Sequence, residues 1–525
     1  MNNSVETAGL TKLRRGASRS TRRTSREPQR EQLAVRPGLL GGQYRPLTDC
    51  DMQRIHNAAL TLLENVGMAK PIPILRERAL AKGCKITDGG RLCFPRALVE
   101  DVIAGAARSF MVYGRNSKHD MEFSTSRVHF DPGGEAVRTL DFKTKKFRPS
   151  TLVDVYDLSR LIDQLEHIHR HYHLIVATDI EDLREHDISR AYASFAGTTK
   201  HVSMSFNAPS HVEPVFDMAC MIAGGEKKFY ERPFCSADLC PVVSPMNYAE
   251  DASEVCIAAT RFGSPVGVII APQAGATAPV ALAGTLVQTI AETLAGLLLI
   301  NLVVPGYPVL FGPWPFVVDL RTGSFSGGGG ESALLNAAAA QMARFYDLPS
   351  NVSAGMTDAK ATDNQAGYEK GISVVLAALA GANIVAESAG TLASIMAVSF
   401  ESFVIDNDML GMVQRVLRGI EVTDETLSVN VITEAVNGPG HFLAHPQTVS
   451  MMETEYLYPE VADRSSIGDW EEKGKKDIED IARQRVQRIM SSHYPSLDPE
   501  IDKKIREKFP INLPPETMSA SGGRW

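Results

Sequence analysis

The residues best suited to chemistry in this 525-residue chain lie in one stretch, GPWPFVVDLRTGSFSGGGGES, at 312–332. Two aromatic residues, Trp314 and Phe316, follow an apolar run, and four consecutive glycines precede a helical pattern. Aromatic faces bind cations, above all quaternary ammonium groups that cannot donate hydrogen bonds. Glycines let a loop hinge or let backbone approach a ligand closely. Glu331 would repel a phosphate, so the stretch predicts a lid with aromatic faces. Ordinary packing of the loop is the alternative.

Other polar residues stand where further predicted strands end. Six of them could bind or activate a substrate: Asp131, Asn207, Gln273, Asp358, Lys360 and Glu387. Each carboxylate taken alone is typical of a helix cap or a salt-bridge partner. The chain has no Ser-His-Asp order, GxSxG elbow or HExxH motif. No His/Cys cluster has the spacing of metal ligands, so the sequence predicts no metal site.

The pattern that must position these residues is a regular alternation of strand and helix. Short apolar or β-branched runs recur at 128–130, 174–178, 202–206, 234–239, 266–270, 309–311, 351–353 and 384–386. Segments of helical period lie between or after them, at 152–165, 181–195, 211–222, 249–262, 282–302, 332–345, 365–379 and 392–403. This alternation predicts right-handed βαβ units and a parallel sheet. Eight strands favour an α/β fold of the (β/α)8 TIM barrel type, with chemistry at the carboxyl ends of the strands. An open doubly wound sheet is the alternative, weakened by the lack of an early GxGxxG.

Composition suggests four segments along the chain. They are a disordered basic tail at 1–45, a helical region at 46–107, the catalytic barrel at 108–420 and a more polar extension at 421–525. The tail holds ten Lys or Arg against three Glu. The helical region begins with a predicted helix at 47–66, which Thr48 can cap and Gly67 can end.

Charge and hydropathy exclude several classes of protein. The net charge of −8 argues against general nucleic-acid binding. The most apolar stretch, 280–304, contains Gln288 and Glu292 and is predicted to be a buried helix that does not span a membrane. Seven scattered cysteines without a CxxC pair favour a reduced cytoplasmic protein.

Several long motifs make the chain resemble a known family. They are VHFDPGGEAVRTLD, RPSTLVDVYDLSRLID, DLRTGSFSGGGGESAL, DAKATDNQAGYEK, ALAGANIVAESAG, GMVQRVLRGIEV and GHFLAHPQT. In this order, over about residues 45–470, they are similar to the trimethylamine methyltransferase family. The resemblance implies a (β/α)8 barrel that moves a methyl group from a methylamine to the Co(I) of a partner corrinoid protein.

One departure from the family pattern concerns the substrate. The archaeal trimethylamine enzymes contain pyrrolysine, whereas all residues here are standard. The chain therefore resembles the branch without pyrrolysine, some of whose members demethylate glycine betaine or related quaternary amines. When a quaternary amine gives up a methyl group, the leaving group is a neutral tertiary amine. Its demethylation therefore requires no proton donor or metal. The protein must hold the cation, orient one methyl group and admit the cobalt.

The resemblance fixes the reaction type and not the pocket, so the expected roles of the residues follow from the chemistry of a cationic substrate. The carboxylates Asp131, Glu331, Asp358 and Glu387 are the catalytic candidates that face the cation. Trp314 and Phe316 form pocket walls, and Asn207, Gln273 or Lys360 meet a substrate carboxylate. The corrinoid is carried by a partner protein and no cofactor is bound tightly. The apolar helices leave room for a homo-oligomer.

Two other functions remain open from the residues. Lys360 could form a Schiff base with a carbonyl substrate, as in aldolase-like barrels. Alternatively, the chain could bind a betaine without catalysis, using the same residues only for recognition.

Overall fold

In the computed structural model, which describes residues 34–492, 497–519 and 524–525, helices alternate with parallel strands. The α/β class is confirmed. The described strands of this alternating region are β1 Arg127–Phe130, β2 His171–Tyr172, β3 Val202–Met204, β4 Cys235–Leu239, β5 Val266–Ile270, β6 Val309–Pro313, β7 Asn351–Ser353 and β8 Ile384–Ala386. The helices that follow them are α1 Leu152–Asp163, α2 Leu183–Gly197, α3 Val212–Ala223, α4 Glu250–Ala259, α5 Leu282–Val303, α6 Gly330–Phe345, α7 Asn364–Ala380 and α8 Phe400–Arg418.

The strands form two sheets. One is entirely parallel in the order β6-β5-β4-β3-β2. In the other, β1, β8 and β7 are parallel neighbours, and Leu39–Leu40 pairs antiparallel with the outer edge of β1. The predicted tail at 1–45 therefore contains an ordered strand near its end, while residues 1–33 lie outside the described part of the chain.

Backbone contacts link the two sheets at both ends. Phe311 of β6 forms a parallel bridge with Ser350, directly before β7, and its N–H donates to Pro349 O at 2.8 Å. On the other side, His169, just before β2, donates its N–H to Phe130 O of β1 at 2.8 Å. The strands therefore keep their chain order across both sheets.

Local signals explain where several helices begin. Thr151 caps α1 with a capping box, and the Asp182 and Asp363 side chains accept N–H bonds at the starts of α2 and α7. Thr48 caps the first helix, Asp49–Thr61, as predicted, and Gly67 follows its last turn with φ 69°. α5 is long and apolar enough to cross a membrane, but most of it is buried inside the protein, as expected of a core helix.

Two predicted elements lie elsewhere. The second strand is His171–Tyr172 and not 174–178. The strand has only two residues, a histidine and a tyrosine, so it has no apolar run by which the sequence could reveal it. Asp179, which follows the predicted strand at 174–178, accepts the Leu152 N–H at 2.9 Å and thus serves the start of α1. The last helix begins at Phe400 and not at 392.

The segment before α8 forms a small antiparallel hairpin of Thr391–Leu392 with Ala397–Val398. The second strand of this hairpin pairs in parallel with Arg138–Leu140, which in turn pairs antiparallel with Phe147–Pro149. Further antiparallel hairpins in the described part of the chain include the following two. One joins Phe316–Asp319 to Ser324–Ser326, and the other joins Ser109–Val112 to Met121–Ser124.

The chain divides into two compact units. Within the described residues, the larger comprises Pro37–Ile420 and Tyr458–Trp525, and the smaller comprises Glu421–Leu457 with residues 34–36. In the larger unit, further described helices are Asp49–Thr61, Pro73–Ala81, Arg96–Gly105, Ile467–Glu472, Ile478–Ser491 and Pro499–Lys508. The smaller unit contains Val429–Asn437 and Pro446–Glu455. The predicted extension at 421–525 is thus split between the units, and all the candidate site residues lie in the larger one.

Histidines are buried around β1, β2 and β3. They are His129, His169, His171, His173 and His201. Burial lowers the pKa of each, to about 3 for His171 and His201 and to about 4 for His129. These rings are neutral in the folded protein at any pH near neutrality.

We therefore expect the protein to lose stability in mild acid. Below about pH 6.5 the unfolded chain binds protons on these histidines and the folded chain does not. Each histidine therefore lowers the free energy of unfolding by about 1.4 kcal/mol for every unit by which the pH falls. The buried carboxyls Asp131 and Glu387, with raised pKa values, act in the opposite sense but are outnumbered.

Denaturant titrations at pH 7.5, 6.0 and 5.0 measure this effect. His171→Asn, which keeps a partner for Ser159 and removes one titrating ring, should show a shallower pH dependence. A free energy of unfolding that is constant from pH 7.5 to 5.0 would contradict the expectation.

Candidate active site

A cavity of about 770 Å³ opens beyond the carboxyl ends of β5 to β8. Four of the nine candidate residues line it, namely Gln273, Phe316, Asp358 and Lys360. They come from the segments after β5, β6 and β7, which parallel strands bring to one end of the sheet. A cavity with aromatic and charged walls in this place is the candidate active site.

The aromatic wall consists of Phe316 and Phe325. The two residues lie on the antiparallel strands of one hairpin, and their ring centroids are 4.7 Å apart. Phe316 is placed by the pairing of its strand with Gln273–Ala274. Phe325 was not among the residues predicted from the sequence. The turn-forming residues RTG at 321–323 are a signal for a hairpin, which would have brought Phe325 beside Phe316.

Trp314 supports this wall from behind. It is 8% exposed and belongs to a buried cluster with Ile269, Leu310 and Phe316. Its indole Nε1–H donates to Asn351 Oδ1 at 3.2 Å. Trp314 does not line the cavity, so its removal would leave a void in the core as well as disturb the wall.

Asp358 carries the negative charge of the cavity. Ser326 Oγ and Ser394 Oγ each donate to it at 2.6 Å, and the Gly327 N–H donates at 2.8 Å. Burial alone would raise the pKa of Asp358, but these hydrogen bonds outweigh burial and lower it. Within the described residues Asp358 forms no salt bridge. Its charge is therefore held by neutral donors and is not cancelled by a cation.

Lys360 is an exposed residue at the rim of the cavity. Its Nζ donates to the backbone carbonyl of Asp358 at 2.6 Å. The ammonium therefore points along the loop after β7 and is not bound to the Asp358 carboxylate. In this position it can meet the anionic end of a ligand whose other end lies deeper.

Two of the four glycines are required by close packing. A Cβ on Gly327 would lie 2.7 Å from Met356 Cβ, and a Cβ on Gly328 would overlap the Glu369 carboxylate. Glu369 in turn accepts the Asp358 N–H at 2.8 Å. A Cβ on Gly330 would meet no other atom within 4 Å, so only the last part of the four-glycine run has room for side chains. The glycines thus let the loop approach the segment after β7.

A buried ionic triad lies among the strands. Arg170 Nε donates to Asp131 Oδ2 at 2.7 Å, and Arg170 Nη2 donates to Asp238 Oδ2 at 2.6 Å. The side chains of all three residues are only 2% exposed. Burial raises the pKa of Asp131 although Arg170 beside it acts in the opposite sense. Asp131 is therefore engaged by a protein cation.

Glu387 is fully buried directly after β8, with φ 58°. Its Oε1 accepts the Gly134 N–H at 3.2 Å, and a Cβ on Gly133 would overlap its carboxyl group. Burial, reinforced by the charge of Asp131, raises the pKa of Glu387 to about 8. The side chain is thus mainly a neutral acid at pH 7.

The structure places Asn207 and Glu331 apart from the cavity lining. The Asn207 side-chain amide donates to Asp187 Oδ1 at 2.6 Å, which fixes its orientation. Glu331 is exposed in the first turn of α6, where a carboxylate stabilises the helix dipole. Across the described residues, no group of three His, Cys, Asp or Glu side chains could hold a metal ion.

Comparisons with known proteins show which family this chain is similar to. The sequence profile of the family described as trimethylamine methyltransferase (MTTB) matches residues 14–510. Trimethylamine methyltransferase MttB2 of Methanosarcina mazei is 34% identical over 474 residues, which cover 89% of this chain and 95% of that protein. Glycine betaine methyltransferase of Desulfitobacterium hafniense strain Y51 is 32% identical over 473 residues, covering 89% and 97%.

A solved structure, the Methanosarcina barkeri monomethylamine methyltransferase, aligns over 86% of this chain and 95% of its own with 14% identity and a TM-score of 0.46. The sequence matches are much stronger, since the two relatives are 34% and 32% identical to this chain over a similar share of its length. On these matches the chain is a methyltransferase enzyme and belongs to the trimethylamine methyltransferase family.

Proposed function

We propose that this enzyme transfers a methyl group from a quaternary amine of the glycine betaine type to the Co(I) of a partner corrinoid protein. The observation that carries the proposal is the pairing, in one cavity, of an aromatic wall with the unneutralised carboxylate of Asp358. Aromatic faces attract a desolvated cation by about 2 kcal/mol each, and a carboxylate adds a directional field.

The hydrogen bonding of Asp358 favours a quaternary over a tertiary ammonium group. Both of its oxygens already accept hydrogen bonds from Ser326, Ser394 and Gly327. A protonated trimethylamine would compete for those oxygens with its single N–H, whereas a quaternary group requires only charge and apolar contact. The cavity supplies these two features.

The proposed reaction is a displacement at the methyl carbon. The C–N bond breaks with its electron pair remaining on nitrogen, which leaves as a neutral tertiary amine. The electron pair of Co(I) forms the new bond to carbon. The protein's contribution is to hold the cation against Phe316, Phe325 and Asp358 and to present one methyl group to the acceptor.

The remaining candidates have supporting roles in this proposal. Lys360 and Gln273, on the rim and wall of the cavity, meet the substrate carboxylate. Asp131 and Glu387 hold the strand ends in place, Asp131 through Arg170 and Glu387 through Gly134. Glu331 and Asn207 lie outside the cavity lining and receive no direct role.

The alternative functions lack support at the site. A Schiff-base lysine is activated by desolvation or by a neighbouring cation, whereas Lys360 is exposed and donates to a carbonyl. A binding protein without catalysis does not fit membership of a methyltransferase family.

We further infer that the eight strands close into the predicted (β/α)8 barrel. The support is the pair of links between the sheets, Phe311 with Ser350 and His169 with Phe130. Closure would surround the buried triad and place the cavity at the carboxyl end of the barrel.

The free state of all seven cysteines is in keeping with a cytoplasmic location.

A methyl-transfer assay tests the proposed substrate. With reduced cob(I)alamin or a corrinoid protein as acceptor, glycine betaine and related quaternary amines should methylate cobalt, and trimethylamine should not. Omission of the enzyme is the control. Robust turnover of trimethylamine without betaine activity would contradict the proposal, and so would binding of a betaine without any transfer.

A further inference from the structure

The hairpin before α8 has an unusual tip. Its three residues Ala393, Ser394 and Ile395 all have left-handed backbone conformations, with φ of 51°, 55° and 63°. None is glycine, and for a β-branched residue such as Ile395 this region is an outlier. Such a residue is strained and persists only where its surroundings impose the conformation.

Hydrogen bonds to the segment after β7 impose this conformation. Ala393 N–H donates to Ala359 O at 2.7 Å, and Ser394 N–H donates to Thr357 O at 2.8 Å. Ser394 Oγ adds its bond to Asp358 Oδ1 at 2.6 Å. The hairpin strands pair Thr391 with Val398 below the tip. The tip is therefore fastened to the same segment that supplies the charge of the cavity.

The strained backbone places the branched side chain of Ile395 at the cavity, beside Ala393 and Met396. Ile395 lines the cavity together with Phe316 and Phe325. It also packs against the buried cluster that contains Phe316 and Trp314. Glycine would satisfy the turn without strain, so the branched side chain is what the strain maintains. Its contact with the cluster gives the cavity an apolar wall besides the aromatic pair.

We propose that Ile395 is a specificity-determining residue that limits the size of the alkylammonium group the cavity accepts, and that Ser394 positions it through Asp358. This rests on the proposed function, since it assumes that the cavity binds the cationic end of the substrate. On this inference, the space between Ile395 and the aromatic wall admits three methyl groups on nitrogen and excludes larger alkyl groups.

Binding of two simple cations tests the inference. Tetramethylammonium and tetraethylammonium differ in size and carry the same charge, and calorimetry measures each without turnover. Wild type should prefer tetramethylammonium. Ile395→Gly should change the ratio of the two dissociation constants at least tenfold in favour of tetraethylammonium, without a lower Tm because strain is relieved. Ile395→Asn, which also tolerates this backbone region, should shift the ratio in the same direction.

Two further variants separate position from identity. Ile372→Ala, at an isoleucine that is 53% exposed on α7, should leave the ratio unchanged. Ser394→Ala should shift the ratio towards the larger cation and increase hydrogen exchange of the amides at 393–396. Ser394→Asn, which tolerates this backbone region and keeps a side-chain donor for Asp358, should leave both readouts close to those of wild type.

The results distinguish this inference from the proposed function. If wild type binds tetramethylammonium and the ratio is the same in Ile395→Gly and Ile395→Asn, the role of Ile395 is overturned and the cation site stands. If wild type binds neither cation, the cation site itself is overturned, and the role of Ile395 with it.

Discussion

Asp358→Asn should weaken glycine betaine binding by about 3 kcal/mol, or roughly 100-fold, because a charge is removed that, at an assumed separation of about 6 Å from the cation and an effective dielectric constant near 20, contributes that much. Asparagine keeps the size of the side chain and can still accept hydrogen bonds from the loop. The expected loss is thus electrostatic, and calorimetric titration with betaine measures it.

A ligand of the same shape that lacks only the positive charge on nitrogen isolates the contribution of that charge. In 3,3-dimethylbutanoate a carbon atom replaces the nitrogen of glycine betaine, so it keeps the three methyl groups and the carboxylate. Wild type should strongly prefer betaine, and Asp358→Asn should lose most of that preference. Asp319→Asn is the matched control on the same cavity, since Arg321 already neutralises Asp319 at 2.7 Å and the preference should persist. Undiminished preference in Asp358→Asn would reject its role.

Arg170→Leu should destabilise the fold more than any other single change described above, by about 3–5 kcal/mol. The substitution leaves the carboxylates of Asp131 and Asp238 buried without their shared cation. Both side chains are 2% exposed, so water cannot replace the lost hydrogen bonds. Denaturant titration at pH 7.5 measures the free energy of unfolding.

Two controls show whether the effect comes from unpaired charge. Arg321→Ala removes an arginine that is 88% exposed and should cost at most about 1 kcal/mol. Asp131→Asn and Asp238→Asn, added to Arg170→Leu, should recover part of the lost stability because no buried charge remains. A loss below about 1 kcal/mol in Arg170→Leu would show that the triad contributes little.

Much of the fold could be predicted from the sequence, because the evidence for it is local. Apolar runs bounded by turns match seven of the eight strands, and helical period matches seven of the eight helices that follow them. The second strand was misplaced because His171 and Tyr172 do not form an apolar run. Helix α8 was misplaced because a hairpin with a strained tip has no clear sequence signal.

The candidate site could be predicted only in part. Residues that directly follow strands, such as Asp358 and Gln273, share one cavity because parallel strands end on the same side. Phe325 and Ile395 were missed because each lies on a hairpin that reaches the cavity from a loop. Trp314 was predicted to form a wall but lies behind it, since side-chain direction depends on the neighbouring strands.

The sequence by itself determined the α/β class, the order of strands and helices and the family, because these depend on periodicity and on long ordered motifs. Tertiary structure alone decided which carboxylates keep their charge. Arg170 engages Asp131, burial raises the pKa of Glu387 to about 8, and three neutral donors keep Asp358 ionised. The charge of a carboxylate depends on burial and on partners distant in sequence, and neither can be read from spacing along the chain.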